Sequence, residues 1–161
     1  MKFFICGFTG AGKTTILNHL RLIDGLGEYQ LIDLDKFILG QQKQYESVAQ
    51  IIEEKGIDYF RVREYEEIKR LSSHKKIILS LGGGALNEKT STLLVGWKGV
   101  WLNTSFAECY LRIKGDDSRP ITKKPKKELE NIYEQRVLWY KKFPAVSNQG
   151  QLIDFIFKNI E

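Results

Sequence analysis

Residues 7–14 read Gly-Phe-Thr-Gly-Ala-Gly-Lys-Thr, the pattern G-x-x-x-x-G-K-[ST], and this stretch constrains the chain more than any other. A glycine-rich loop can bend until several backbone N–H groups point at one anion. Within it Gly10, Ala11 and Gly12 supply backbone donors, and Thr15 follows on the helix side. The Lys13 ammonium neutralises charge between phosphates, and the Thr14 hydroxyl is a hard oxygen suited to Mg²⁺. The following helix turns its positive dipole end toward the same phosphates. Context supports the motif. Lys2-Phe3-Phe4-Ile5-Cys6 is an apolar run of strand length, and Ile16, Leu17 and Leu20 recur at helical spacing after the loop. Strand, loop and helix therefore come in the order that a nucleotide-phosphate site requires.

The 161 residues suit one domain, with 42% hydrophobic and 28% charged side chains. A domain of that size buries roughly 70% of its unfolded surface. No apolar run approaches the ~20 residues of a membrane span, and neither a secretion signal nor membrane attachment is expected. Cys6 and Cys109 are expected to be two buried free thiols, which places the protein in a reducing cytoplasm. The net charge of +5 is concentrated in Lys123, Lys124, Lys126 and Lys127, read as one loop that either covers anionic ligands or is simply solvated. Aromatic residues are scattered and form no base-stacking platform, so no nucleic-acid partner is expected. No Cys/His cluster has metal-ligand spacing and no Ser-His-Asp arrangement is evident.

Further along, Tyr29–Ile32 reads as a short strand ending at Asp33-Leu34-Asp35. Acidic residues at a strand's C-terminal end lie beside the ligand crevice of an open α/β sheet. If extended geometry continued, both carboxylates would point the same way. One could then organise Mg²⁺ and the other accept a hydroxyl proton; turn chemistry is the plainer alternative. Residues 36–71 look helical and form a long insertion, in which Arg61 could grip a carboxylate with Glu64 orienting it, or could form an ordinary surface pair. Lys76–Leu81 is a buried strand ending in Gly82-Gly83-Gly84, which permits close ligand approach. A strand at 99–102, a helix from Ser105 closed by Arg112, a breaker-rich loop at 115–122, a helix at 128–142, a short strand at Ala145-Val146 and a closing helix complete the chain.

Taken together, Gly7–Thr14, Asp33-Leu34-Asp35, Phe60-Arg61 with Glu64, the triple glycine, Arg119-Pro120 and Arg136 resemble the shikimate kinase family over nearly the whole chain. The resemblance implies a three-layer α/β P-loop kinase, nucleoside-monophosphate-kinase-like, with a five-stranded parallel sheet. It implies a single domain (1–161), a helical substrate-binding insertion at about 34–62 and a lid at about 114–126. The implied reaction is ATP-dependent phosphorylation of the shikimate 3-hydroxyl by a monomer, with Mg²⁺. Lys13, Asp35 and Arg119 would be catalytic. Gly10 to Thr15, Arg112 and Arg119 would meet the nucleotide, with Arg112 stacking on adenine. Asp35, Arg61, Gly82, Gly83, Gly84 and Arg136 would hold shikimate, and Thr14 and Asp33 the metal, Asp33 through water. This chain departs from the family at Ile38-Leu39, at Val137-Leu138-Trp139-Tyr140 and in Ser147–Gln151, which lacks a proline. A kinase for gluconate or an inactive nucleotide-binding relative are the competing readings.

Overall fold

Five short strands form one parallel sheet in the computed structural model, which describes residues 1–160. They are β1 (Lys2–Cys6), β2 (Gln30–Asp33), β3 (Ile77–Ser80), β4 (Lys98–Leu102) and β5 (Ala145–Val146), in the order β2-β3-β1-β4-β5. Because β1 is flanked on both sides and covered on both faces, it must be apolar beyond its first residue, Lys2. Phe3, Phe4 and Ile5 are fully buried beside Ile77, Ile78 and Leu79 of β3. Phe4 packs edge-on against Phe143 at 4.9 Å, and Phe3 edge-on against Phe155 at 6.4 Å.

Eight α-helices accompany the sheet among the described residues: α1 (Lys13–Leu20), α2 (Leu34–Gly40), α3 (Val48–Lys55), α4 (Ile57–Leu71), α5 (Glu88–Leu93), α6 (Phe106–Ile113), α7 (Lys126–Tyr140) and α8 (Gln149–Ile160). Side-chain caps define several starts. Ser47 accepts from the Gln50 N–H at the head of α3, and Ser105 from Glu108 at the head of α6. The α/β fold class and the five-stranded parallel sheet of expectation are those observed. Both cysteines are buried and free. Burial pushes the Cys6 thiol up to about 12 and Cys109 up to about 11, so neither is a reactive thiolate.

Two local expectations are corrected. The chain does not stay extended past Asp33. Asp33 caps α2, its side chain accepting from the Lys36 N–H, and Asp35 lies in that helix's first turn. A carboxylate that satisfies a helix's orphan N–H ends the strand. The lysine run is not one loop either. Lys123 closes a 3-10 helix (Pro120–Lys123), while Lys126 and Lys127 open α7. Lys126 sits 5.0 Å over the Tyr110 ring, Lys124 pairs with Glu128 at 2.6 Å, and Lys123 reaches Glu53 of α3 at 3.5 Å.

Candidate active site

The loop after β1 runs straight into α1, with Gly12 at the helix's N-cap in a left-handed conformation (φ +99°) that a side chain would strain. Lys13 is 8% exposed, and its Nζ donates to the carbonyls of Gly7 (2.6 Å) and Phe8 (2.9 Å). The ammonium thus rests on its own loop, where a phosphate would offer it better acceptors. Burial brings Lys13 down to about 8, against the pull of Asp35. Thr14 Oγ1 donates to Asp33 Oδ2 at 2.7 Å, placing a hydroxyl and a carboxylate oxygen together.

A cavity of about 480 Å³ opens over this loop, walled by Gly10, Gly12, Lys13, Thr14, Thr15, Asp33, Asp35, Arg112 and Arg119. Arg119 is half-exposed, its Nε donating to Asp116 Oδ2 at 2.7 Å. Arg112, in the last turn of α6, donates to the Gly10 carbonyl at 3.1 Å. It also walls a neighbouring groove of about 780 Å³ with Ala11, Gly12, Thr15, His19 and Gln149. At that groove His19 Nδ1 and Gln149 Oε1 lie 2.5 Å apart.

A further cavity, of about 440 Å³, lies between α3, α4, α7 and the end of β3. Arg61, Glu64, Gly82, Gly83, Gly84 and Arg136 line it. Arg61 and Arg136 arrive from different helices, yet both guanidiniums crowd Gly84, where a Cβ would strike each of them. A Cβ on Gly82 would strike the Asp35 carboxylate, and one on Gly83 would meet Thr9 and Arg136. A side chain at any of these three positions would force its neighbours to shift. Arg136 also lies 5.5 Å over the Phe8 ring, and burial lowers its pKa.

The two cavities share Thr9, Asp35, Val48, Gly82, Gly83 and Pro120. Asp35 Oδ1 is buried at this junction with no hydrogen-bond partner. Burial, then the neighbouring Asp33, raises its pKa, while Lys13, Arg61 and Arg119 oppose the rise. A carboxylate with a free acceptor and a raised pKa is suited to take a proton from a hydroxyl. Arg61 Nη1 donates to Glu64 Oε2 at 2.5 Å, and Glu64 is 1% exposed. The pair is buried on one side, so the surface-pair alternative is ruled out.

Sequence reading missed Thr9 and Tyr140. Thr9, a variable position of the loop motif, walls both cavities. The Tyr140 hydroxyl donates to the Gly83 carbonyl and holds the glycine turn. Its signal was available: it stands four residues after Arg136 on the same face of α7.

A family model described as shikimate kinase matches residues 9–159. A shikimate kinase of Persephonella marina is 33% identical over 137 residues, 84% of this chain and 80% of the relative. The structure of a shikimate kinase from Acinetobacter baumannii in complex with shikimate is 26% identical, with a TM-score of 0.84 over 98% of this chain and 93% of that one. A gluconokinase from Sinorhizobium meliloti, 16% identical with a TM-score of 0.55 over 96% of this chain and 87% of that one, shares the fold alone.

Proposed function

The chain belongs to the shikimate kinase family, and from that premise we propose how its residues transfer the γ-phosphoryl group of ATP to the 3-hydroxyl of shikimate. The observation that carries this reading is the pair of cavities meeting at Asp35, one over the phosphate loop and one under two arginines. ATP would lie in the first, with its phosphates on the N–H groups of Gly10 to Thr15 and its base beside Arg112. Shikimate would lie in the second, its carboxylate between Arg61 and Arg136, its ring over Gly82–Gly84 and its 3-hydroxyl toward Asp35. Phosphoryl transfer needs alignment and charge neutralisation more than covalent help. Lys13 would leave its carbonyls for the phosphates, and Asp35 would accept the hydroxyl proton.

Thr14 Oγ1 and Asp33 Oδ2, 2.7 Å apart, are hard oxygens of the kind Mg²⁺ takes. Among the described residues no cluster of three or more acidic, histidine or cysteine side chains could hold a metal. Mg²⁺ would therefore depend on these two oxygens, phosphate and water, its usual habit. When bound it would neutralise charge on the phosphates. The segment around Arg119 would act as the lid that excludes water. No described helix is long and apolar enough to cross a membrane, and two buried free thiols fit a reducing cytoplasm.

A coupled assay of ADP release with shikimate and with gluconate tests the reading. Turnover with shikimate is expected; turnover with gluconate and none with shikimate would overturn it. Arg61→Ala and Arg136→Ala are each expected to raise KM for shikimate by roughly 30-fold or more, since truncating one partner of a buried charged contact costs about 2–5 kcal/mol. The KM for ATP should stay near that of the wild type. Gly84→Ala is expected to raise the same KM by roughly one to two powers of ten, because overpacking costs about 1–3 kcal/mol. Thermal melting of that variant separates a displaced clamp from a destabilised fold.

A further inference from the structure

Glu64 is the carboxylate hydrogen-bonded to Arg61, one of the arginine pair. Its Oε2 accepts from Arg61, while Oε1 is buried without a hydrogen-bond partner. A carboxylate so placed is poorly compensated for the water it has lost. The charged groups that face it are Arg61 on its own helix α4, Asp35 from α2 and Arg136 from α7. A ligand carboxylate placed between Arg61 and Arg136 brings a further negative charge beside Glu64. It also competes with Glu64 for Arg61. A proton on Glu64 would remove the repulsion, and Glu64 is placed to take it. Asp35 keeps Lys13 and Arg119 as counter-charges whatever happens at the clamp, whereas Glu64 depends first on Arg61.

We propose that capture of the shikimate carboxylate by Arg61 and Arg136 is coupled to uptake of a proton by Glu64, a positioning residue that sets the pH dependence of substrate affinity. This rests on the reading of the two arginines as the carboxylate clamp. Burial already pushes Glu64 up to about 7 in the free protein, with Arg61 as the chief opposing charge. An incoming carboxylate weakens that opposition and moves Glu64 higher still. Between the free and the bound value the complex holds more protons than the free protein, so shikimate affinity falls as pH rises, by up to about tenfold per pH unit. Below the free value the affinity is flat.

Calorimetric titration of the full chain with shikimate, in two buffers of different ionisation enthalpy slightly above neutral pH, reads the protons taken up. Net uptake is expected in the wild type and none in Glu64→Gln, which keeps an acceptor for Arg61 but cannot ionise. The variant's KM for shikimate should be flat across the range in which the wild-type KM rises. Binding without buffer dependence overturns the coupling and leaves the clamp standing. Undiminished uptake in Glu64→Gln overturns it as well. If Glu64→Gln does not fold, the infrared difference spectrum of the wild type on adding shikimate decides: a new protonated-carboxyl band is expected, and its absence overturns the coupling. Unchanged shikimate affinity in both Arg61→Ala and Arg136→Ala overturns the clamp itself, and this inference with it.

Discussion

Replacing Arg119 with alanine is expected to lower kcat by about 10³–10⁵-fold, the contribution of an arginine that meets the transferred phosphoryl group in related reactions. ATP and shikimate should still bind. The expectation follows from position. Arg119 walls the cavity over the phosphate loop together with Lys13 and Thr14, and it heads the 3-10 helix Pro120–Lys123. Only its Nε is engaged, by Asp116. The outer two nitrogens of the fork carry no bond among the described contacts, so they can serve charge that develops in the transition state. On the proposed reading, ground-state binding is carried elsewhere, by the loop and the clamp, so the loss should fall on kcat and leave KM largely alone. Arg119→Lys keeps the charge but loses the planar fork, and should fall between the wild type and alanine. Steady-state kinetics with both substrates varied provide the check. An alanine variant within tenfold of the wild-type kcat would remove Arg119 from the reacting centre.

Asp35→Asn is expected to lower kcat by about 10²–10⁴-fold, the usual span for loss of a positioned general base. Asparagine is nearly the same size and fills the same space beside Gly82. It keeps an oxygen at the junction but cannot accept a proton. Affinity for ATP should be unchanged, because no phosphate contact is removed. The variant also lacks the buried negative charge whose idle oxygen burdens the free protein, and should melt no lower than the wild type. Full retained activity would exclude Asp35 as the base and assign proton transfer to solvent or to the phosphate itself. The measurement is kcat by the ADP-coupled assay, paired with nucleotide affinity by titration.

Much of the molecule could be read from the chain before any coordinates. The strands announce themselves because buried parallel strands have no polar face; Phe3-Phe4-Ile5 and Ile77-Ile78-Leu79 are apolar runs of strand length. The phosphate loop is equally local, since its function lies in backbone N–H groups and the glycines that free them. Glu64 was half legible. It interrupts the apolar stripe Phe60, Ile68 and Leu71 at the spacing of one helix face, so the sequence could have placed it inside. The partner it finds there and the oxygen left idle were not readable, because these depend on what packs opposite.

The sequence by itself determined the donor half of this protein: a strand, an anion-binding loop and a helix within the first twenty residues, the loop held by local bonds from Lys13 to Gly7 and Phe8. Only the tertiary structure decided the acceptor half. Arg61 and Arg136 lie on separate helices and meet over Gly84 because α4 and α7 both close on the end of β3. Asp35 reaches the junction of the two cavities from the first turn of a helix and not from an extended strand. Local pattern specifies backbone that satisfies itself, whereas a charge's environment is the sum of distant surfaces brought together by burial of the core.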